Sequence, residues 1–247
     1  MRFLWSIWVW LELSLLTIVM GALVMLAALL LWPVDRNQRV AQLGATLWGH
    51  LCFLANPRWK LELRGKERLA RAGACVLSAN HTSQVDILAI SALHGNWRWV
   101  SKREIFRIPF LGWAMKLIGT PSVRRGDKES GQKVLAHCRR WLDRGVSILM
   151  FPEGTRSEDG ALQPFKPGAF KLALEAGRPV LPVVVVGAAD ALPKKGADMS
   201  RRASVVVSVL EPVAPAGLDV QALSDQVHAR MREEIARLRE ERAGVVA

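Results

Sequence analysis

The stretch Val180-Leu181-Pro182-Val183-Val184-Val185-Val186 determines the predicted fold class. Seven apolar residues without polar alternation are typical of a strand that is buried on both faces of a sheet. Proline cannot donate a hydrogen bond to a sheet ladder, so we expect a bulge or a sheet edge at Pro182. The stretch therefore predicts a central strand in a layered structure.

Other short apolar runs alternate with helical patterns on both sides of this strand. The remaining candidate strands are residues 59–63, 74–79, 97–101, 121–124, 146–151 and 203–210. Candidate helices are residues 85–93, 105–118, 129–144 and 168–176, and a last helix begins near Asp219. This alternation predicts an α/β fold, with a layered mixed sheet of about seven strands flanked by helices.

The N-terminal residues differ in composition from the rest of the chain. Residues 13–32 carry no charge, and a helix of that length spans the hydrocarbon core of a bilayer, about 30 Å. Five of the ten tryptophans lie within the first 48 residues, where aromatic side chains are typical of a membrane interface. We therefore expect residues 1–57 to be membrane-anchoring helices and residues 58–247 to be a catalytic domain.

A second N-terminal segment, residues 40–55, has the pattern of an amphipathic helix. Its apolar residues form one stripe: Val40, Leu43, Leu47, Leu51 and Leu54. Gln42, Thr46 and His50 lie off that stripe. The spacing leaves two alternatives, a helix that lies on the membrane and a helix that covers the domain.

The net charge of +12 comes from 34 Lys and Arg against 22 Asp and Glu, and it favours phosphate-bearing or anionic partners. The basic residues do not form one strip interleaved with aromatics, so we expect no nucleic-acid partner. The chain has three cysteines and no Cys-x-x-Cys pair, which argues against a disulfide framework and against a thiolate zinc site. The sequence also lacks the serine-hydrolase elbow, the P-loop and the dinucleotide-binding glycine pattern.

The first candidate for chemistry is Asn80-His-Thr-Ser-Gln-Val-Asp86, which follows an apolar strand and opens a helix. His81 and Asp86 could form a dyad in which the carboxylate orients the imidazole and stabilises its protonated form. Alternatively, Asp86 only stabilises the helix start together with Ser83. Within one helix the two side chains would point about 140° apart, so a dyad requires His81 to lie outside it.

Two further segments place polar groups at the ends of strands. Phe151-Pro-Glu-Gly-Thr-Arg-Ser157 offers a flexible glycine and an arginine suited to phosphate, at a position where α/β sheets bind ligands. Gly119-Thr-Pro-Ser-Val-Arg-Arg125 also ends in cations. Either segment alone could be an exposed polar turn.

Together and in this order, these segments resemble the glycerolipid acyltransferase family. Val180-Leu-Pro182 resembles its fourth block, and Lys166-Pro-Gly168 resembles the stretch after its third. The resemblance covers about residues 58 to 213. It implies that His81 is the general base and that Asp86 is its partner. It further implies that Arg125 (or its neighbour Arg124) and Arg156 bind the phosphate of the acceptor, and that Glu153, Gly154 and Thr155 belong to the substrate site, with Glu153 and Gly154 shaping it.

The implied reaction transfers a fatty-acyl group from a thioester to the 2-hydroxyl of lysophosphatidic acid, giving phosphatidic acid. Acyl-CoA or acyl carrier protein would be the donor, with no cofactor and no metal. The expected partners are the lipid bilayer and the lysophospholipid, at the cytoplasmic face of a bacterial inner membrane. The alternatives are another acceptor headgroup, including ornithine lipid, and an inactive lipid-binding protein.

Overall fold

A computed structural model of the chain describes residues 1–124 and 126–246. The helices are α1 Arg2–Leu30, α2 Arg39–Leu54, α3 Lys66–Ala72, α4 Val85–Ser91, α5 Leu111–Leu117, α6 Lys128–Asp143, α7 Gly168–Ala176, α8 Ala188–Ala191 and α9 Val220–Val246, with a 3₁₀ helix at Arg103–Arg107. The strands are β1 Trp59–Arg64, β2 Val76–Ala79, β3 Trp97–Trp99, β4 Ser101–Lys102, β5 Ser122–Val123, β6 Ser147–Met150, β7 Val180–Val186 and β8 Ala203–Val209.

Six strands form one mixed sheet in the order β1-β8-β7-β2-β6-β3, and β4 pairs with β5 in a separate two-stranded sheet. All neighbours in the large sheet are parallel except β7 and β8. The predicted α/β fold with a mixed sheet flanked by helices is confirmed. The predicted strand 97–101 is divided at Val100, because the chain changes its pairing partner there from β6 to β5.

The predicted helix 105–118 is also divided, into the 3₁₀ helix and α5. Pro109 disfavours helical geometry in the residue before it. Ile108 accordingly adopts an extended backbone, with φ −72° and ψ 122°. A single proline thus explains why the continuous helix expected from the apolar pattern does not form.

The predicted irregularity at Pro182 is a bulge in the pairing opposite it. Val183 faces Val209, whereas Val180 faces Val213, so three steps along β7 match four steps along the other segment. The carbonyl oxygen of Pro182 still accepts a hydrogen bond from the backbone N–H of Leu210, at 2.9 Å. The proline is therefore accommodated inside the sheet, with β8 on one side of β7 and β2 on the other.

Each face of the large sheet contributes to its own hydrophobic core. One core joins the sheet to α4 and α8, and the other joins it to α6, α7 and α9. The last helix, predicted to begin near Asp219, buries one apolar stripe in the second core: Leu223, Val227, Met231, Ile235 and Leu238. The sheet is thus a middle layer, as its largely apolar strands predict.

The N-terminal helices pack against the sheet layer as well as against each other. Val9 of α1 and Phe53 of α2 are fully buried in the first core. The Ser6 hydroxyl and the Trp10 indole N–H both donate to the carbonyl oxygen of Ala197, at 3.1 and 2.9 Å. Helix α1 is also long and apolar enough to cross a membrane, with a mean hydropathy of 2.6 over its most apolar window.

Helix α2 exposes its apolar stripe and buries its more polar side. Four stripe residues are 41–57% exposed: Val40, Leu43, Leu47 and Leu54. Gln42 and Thr46, on the opposite side, are almost completely buried. A helix that covers a soluble domain buries its apolar face. The observed orientation therefore favours the membrane alternative, and together with α1 it indicates membrane association.

A buried arginine fixes the N-terminal helices to the sheet. Arg98 on β3 is completely buried. Its guanidinium donates to the side-chain oxygen of Gln42 at 2.9 Å, and to the carbonyl oxygens of Asn37 and Ile118 at 2.7 and 2.9 Å. These charge-assisted bonds hold the turn between α1 and α2 in place. The position of the two helices relative to the sheet is therefore fixed.

Candidate active site

The first predicted pair, His81 and Asp86, is brought together at the start of α4. Nδ1 of His81 lies 2.9 Å from Oδ2 of Asp86. The His81 side chain is 12% exposed and that of Asp86 is fully buried. Helix α4 begins at Val85, so His81 lies outside it and folds back over the first turn, which is the geometry that a dyad requires.

Asp86 also makes the contacts expected at a helix start, so the geometry is compatible with both roles weighed from the sequence. Its Oδ2 accepts hydrogen bonds from the backbone N–H groups of Thr82 and Ser83, at 2.7 and 2.8 Å. A carboxylate can only accept, so the proton between the two side chains is carried by Nδ1. The Nε2 atom of His81 is then left as the proton acceptor.

An aromatic side chain fixes the plane of the imidazole. The ring of Phe151 stacks on His81, with centroids 4.0 Å apart and an interplanar angle of 17°. Trp99 stacks on the far side of Phe151, at 6.1 Å. The sequence places Phe151 directly after β6, which neighbours β2, and this position was the available signal for a contact with His81. No role was predicted for it.

Glu153 supports the backbone around His81. Its side chain is buried, and its Oε1 accepts from the backbone N–H of His81 at 2.7 Å. Its Oε2 accepts from the backbone N–H of Gln163 at 3.0 Å. The carbonyl oxygen of His81 in turn accepts from the backbone N–H of Ser157, at 2.8 Å. The structure thus places Glu153 beneath the dyad, where it links the loops that carry the first and third segments.

Burial raises the pKa of Glu153 to about 7 from its ordinary value of 4.5, although two N–H bonds favour the charged form. The pKa of Glu153 is higher in the folded state than in the unfolded state. The stability that the protonated group contributes is therefore fully present below about pH 4.5, and it is lost as the pH rises to about 7. We expect the melting temperature of the wild type, relative to that of Glu153→Gln, to fall across this range. If the melting temperatures of the two proteins instead change in parallel with pH, Glu153 does not titrate in this range.

The rest of the third segment brings cationic groups toward His81. Gly154 has a φ of +72°, and a Cβ at this residue would lie 2.6 Å from Nζ of Lys166. Glycine is therefore favoured by the left-handed backbone, and the lysine amine lies directly beside it. Arg156 is half-buried and Thr155 is exposed. Lys166 lies in the motif Lys166-Pro-Gly168, but its sequence context predicted no role for it.

The second segment is only partly described. Arg125, the favoured phosphate ligand, lies outside the described residues. Its neighbour Arg124 is exposed, and its guanidinium lies 3.8 Å from the carboxylate of Asp127. The assignment of the phosphate contact to Arg125 or Arg124 stays a prediction.

A cavity of about 850 Å³ runs from the dyad to the N-terminal helices. His81 lines this cavity, and the charged side chains among the described residues that line it are Lys102, Arg124, Asp127, Arg156, Lys166 and Lys194. Most of its remaining lining is apolar, and α1, α2, α4 and α5 contribute a large part of it, with Leu13, Met20, Val24, Trp48 and Leu88 among its members. The contribution of α1 and α2 was not predicted, because their sequence pattern indicates only an anchor. The cavity combines a proton acceptor, several cations and an apolar volume suited to an amphiphilic ligand.

Comparison with known proteins agrees with this geometry. The chain is 34% identical over 190 residues to the chloroplastic 1-acyl-sn-glycerol-3-phosphate acyltransferase BAT2 of Brassica napus, covering 76% of this chain and 54% of that protein. It is 33% identical over 178 residues to the human 1-acyl-sn-glycerol-3-phosphate acyltransferase beta, covering 70% of this chain and 64% of that protein. The chain thus spans about half the length of the plant relative.

A solved structure shares the fold. The crystal structure of the 1-acyl-sn-glycerophosphate (LPA) acyltransferase PlsC from Thermotoga maritima matches with a TM-score of 0.81, over 97% of this chain and 98% of that one, at 24% identity. The family model Acyltransferase matches residues 60–186, which is just over half of the chain and contains His81, Asp86, Glu153 and Arg156. The chain therefore belongs to the acyltransferase family.

Proposed function

We propose that this protein transfers a fatty-acyl group from a thioester to the 2-hydroxyl of lysophosphatidic acid, giving phosphatidic acid. The observation that carries the proposal is the His81–Asp86 pair, 2.9 Å apart, in a cavity that is apolar but also lined by cations. A lysophosphatidic acid molecule has the matching parts, namely a hydroxyl, a phosphate and an acyl chain. The relatives from Brassica napus and human, both 1-acyl-sn-glycerol-3-phosphate acyltransferases by name, support the same acceptor.

The chemistry needs one proton acceptor that becomes a proton donor. Nε2 of His81 removes the proton from the acceptor hydroxyl while the oxygen attacks the thioester carbon. The carbon–sulfur bond then breaks, and the imidazolium returns the proton to the departing sulfur. The Asp86 carboxylate stabilises the imidazolium between these steps. The reaction is balanced without a metal or an acyl-enzyme intermediate.

Acyl-CoA and acyl carrier protein present the same thioester, and the proposed mechanism accepts either donor. Both donors are soluble in the bacterial cytoplasm, whereas the acceptor is a membrane lipid. We therefore place the protein at the inner membrane of a bacterium, with its catalytic face toward the cytoplasm. The exposed apolar surfaces of α1 and α2 support contact with the bilayer.

The phosphate of the acceptor should be selected by arginine. We expect Arg156→Ala, and likewise Arg125→Ala, to lower catalytic efficiency with lysophosphatidic acid about tenfold to a hundredfold, since a charge-assisted bond contributes about 1.5–3 kcal/mol. Activity with neutral monoacylglycerol should change much less. Lysine should restore only part of the activity, because a point charge cannot replace the guanidinium fork.

A matched control separates binding from a general loss of charge. Arg232 is an exposed arginine on α9, a helix that packs on the opposite face of the sheet from α4. Arg232→Ala should leave both acceptors unaffected. If Arg156→Ala lowers the use of lysophosphatidic acid and monoacylglycerol equally, the arginine is structural and the phosphate-selected acceptor is wrong.

A further inference from the structure

Large hydrophobic side chains that are exposed to solvent are confined to two parts of the described chain. Twenty of them lie within residues 1–54, in α1, α2 and the turn between them. Among the described residues beyond 54, the others are Ile108, Trp113 and Leu117, which are 43%, 50% and 39% exposed. Single exposed apolar residues are ordinary, but three within ten residues form a patch that calls for a partner.

The patch has the same reversed arrangement as α2. Trp113 and Leu117 are one helical turn apart, so they share one side of α5. The buried side of the same helix carries Ala114, which packs with Val24 and Ala28 of α1. Helix α5 thus presents Ala114 to the protein and Trp113 and Leu117 to the outside, whereas Leu111 and Met115 line the cavity.

The patch lies next to α1, which also exposes large apolar side chains. Phe110, whose ring lies 5.4 Å from that of Trp113, packs directly on Gly21 in α1. A Cβ added at Gly21 would lie only 2.9 Å from the Cβ of Phe110. The segment from the 3₁₀ helix to the end of α5 therefore extends the surface that α1 and α2 already present.

Cations flank the apolar residues in the same segment. Arg103, Arg107 and Lys116 are exposed, whereas the one acidic residue, Glu104, lies 3.7 Å from Nζ of Lys102. An excess of positive charge beside exposed tryptophan and aliphatic side chains matches an anionic bilayer surface. A protein partner would have to cover a surface that lies next to the proposed membrane anchor.

We propose that residues 103–117 are a third membrane-contacting element, in addition to α1 and α2. This inference rests on the proposed membrane association of those helices. Ile105, Ile108 and Leu111 also line the large cavity. The element would consequently hold the cavity against the bilayer, so that a lysophospholipid acceptor can enter from the membrane without crossing water.

The test uses the full chain with single cysteines in place of Ile108 or Leu117, labelled with a nitrobenzoxadiazole fluorophore. The three native cysteines are buried, which favours labelling of the introduced one. Each protein is reconstituted in phosphatidylcholine/phosphatidylglycerol vesicles with or without brominated acyl chains. Leu43→Cys on α2 is the reference for the anchor, and Gln226→Cys, exposed on α9, is the matched negative control.

We expect brominated chains to quench the labels at residues 108 and 117 as strongly as the label at residue 43, and to leave the label at residue 226 unchanged. If only the label at residue 43 is quenched, the proposal that residues 103–117 contact the membrane is wrong, whereas the membrane contact of α2 is supported. Absence of quenching at all four positions overturns both. Unquenched, blue-shifted emission that depends on the protein-to-lipid ratio would mean that a second copy covers the patch. If Leu117→Cys does not fold, Ile108→Cys in the extended link carries the test.

Discussion

Replacing His81 with alanine should lower the rate of acyl transfer by about 10²–10⁴-fold, the usual contribution of a general base. The variant retains every residue of the cavity except the group that removes the proton from the acceptor hydroxyl. The fold should persist, because the backbone N–H of His81 still donates to Glu153. The side chain itself contacts Asp86 and the face of Phe151.

The measurement is the rate of transfer from an acyl thioester to lysophosphatidic acid, together with the melting temperature of each protein. His137→Ala is a suitable control, because this histidine lies on α6 against Trp141 and does not line the large cavity. It should retain wild-type activity. A correctly folded His81→Ala protein with near-normal activity would contradict the proposed mechanism.

Asp86→Asn should have the second largest effect, again about 10²–10⁴-fold, because it removes the charge that stabilises the imidazolium. An asparagine oxygen at the position of Oδ2 can still accept from Thr82 N–H and Ser83 N–H. The helix start should therefore survive, and stability should change little. The loss should appear in kcat more than in KM, since Asp86 acts through His81 and not on the acceptor.

Asp86→Ala distinguishes the two roles of this residue. It removes the charge and also leaves buried backbone N–H groups unsatisfied, at a cost of about 1–3 kcal/mol for each group. The alanine variant should consequently be both inactive and measurably less stable, whereas the asparagine variant should be mainly inactive. Equal losses of stability in both variants would show that the charge, and not hydrogen-bond acceptance, stabilises the helix start.

Much of this architecture could be predicted because it depends on local pattern. The apolar run 180–186 indicated a buried strand, and Pro182 indicated an irregularity, which is a bulge opposite the proline. The spacing of His81 and Asp86 identified a candidate pair. Helix geometry indicated that the pair can form only if His81 lies outside the helix. That condition is met, since α4 begins at Val85.

Other features depend on contacts between distant parts of the chain, and local sequence pattern alone does not establish them. The apolar stripe of α2 does not show which way it faces. The orientation of α2 involves Arg98, which donates a hydrogen bond to the side-chain oxygen of the buried Gln42. These two residues are 56 positions apart in the chain. The contact of Phe151 with His81 likewise depends on the pairing of β2 with β6. Lys166 lies 12 residues beyond Gly154 along the chain, yet its Nζ would be 2.6 Å from a Cβ built at that glycine.

The central claim is tested most directly by supplying the purified full-length protein with an isotope-labelled acyl thioester and lysophosphatidic acid in vesicles. Acyl-CoA and acyl carrier protein donors are assayed separately, and the lipid products are analysed by mass spectrometry. The proposed function predicts labelled phosphatidic acid with at least one donor, and none above background with His81→Ala. No labelled phosphatidic acid with either donor, or label that accumulates only in lipids with another headgroup when other lysolipids are offered, would contradict it.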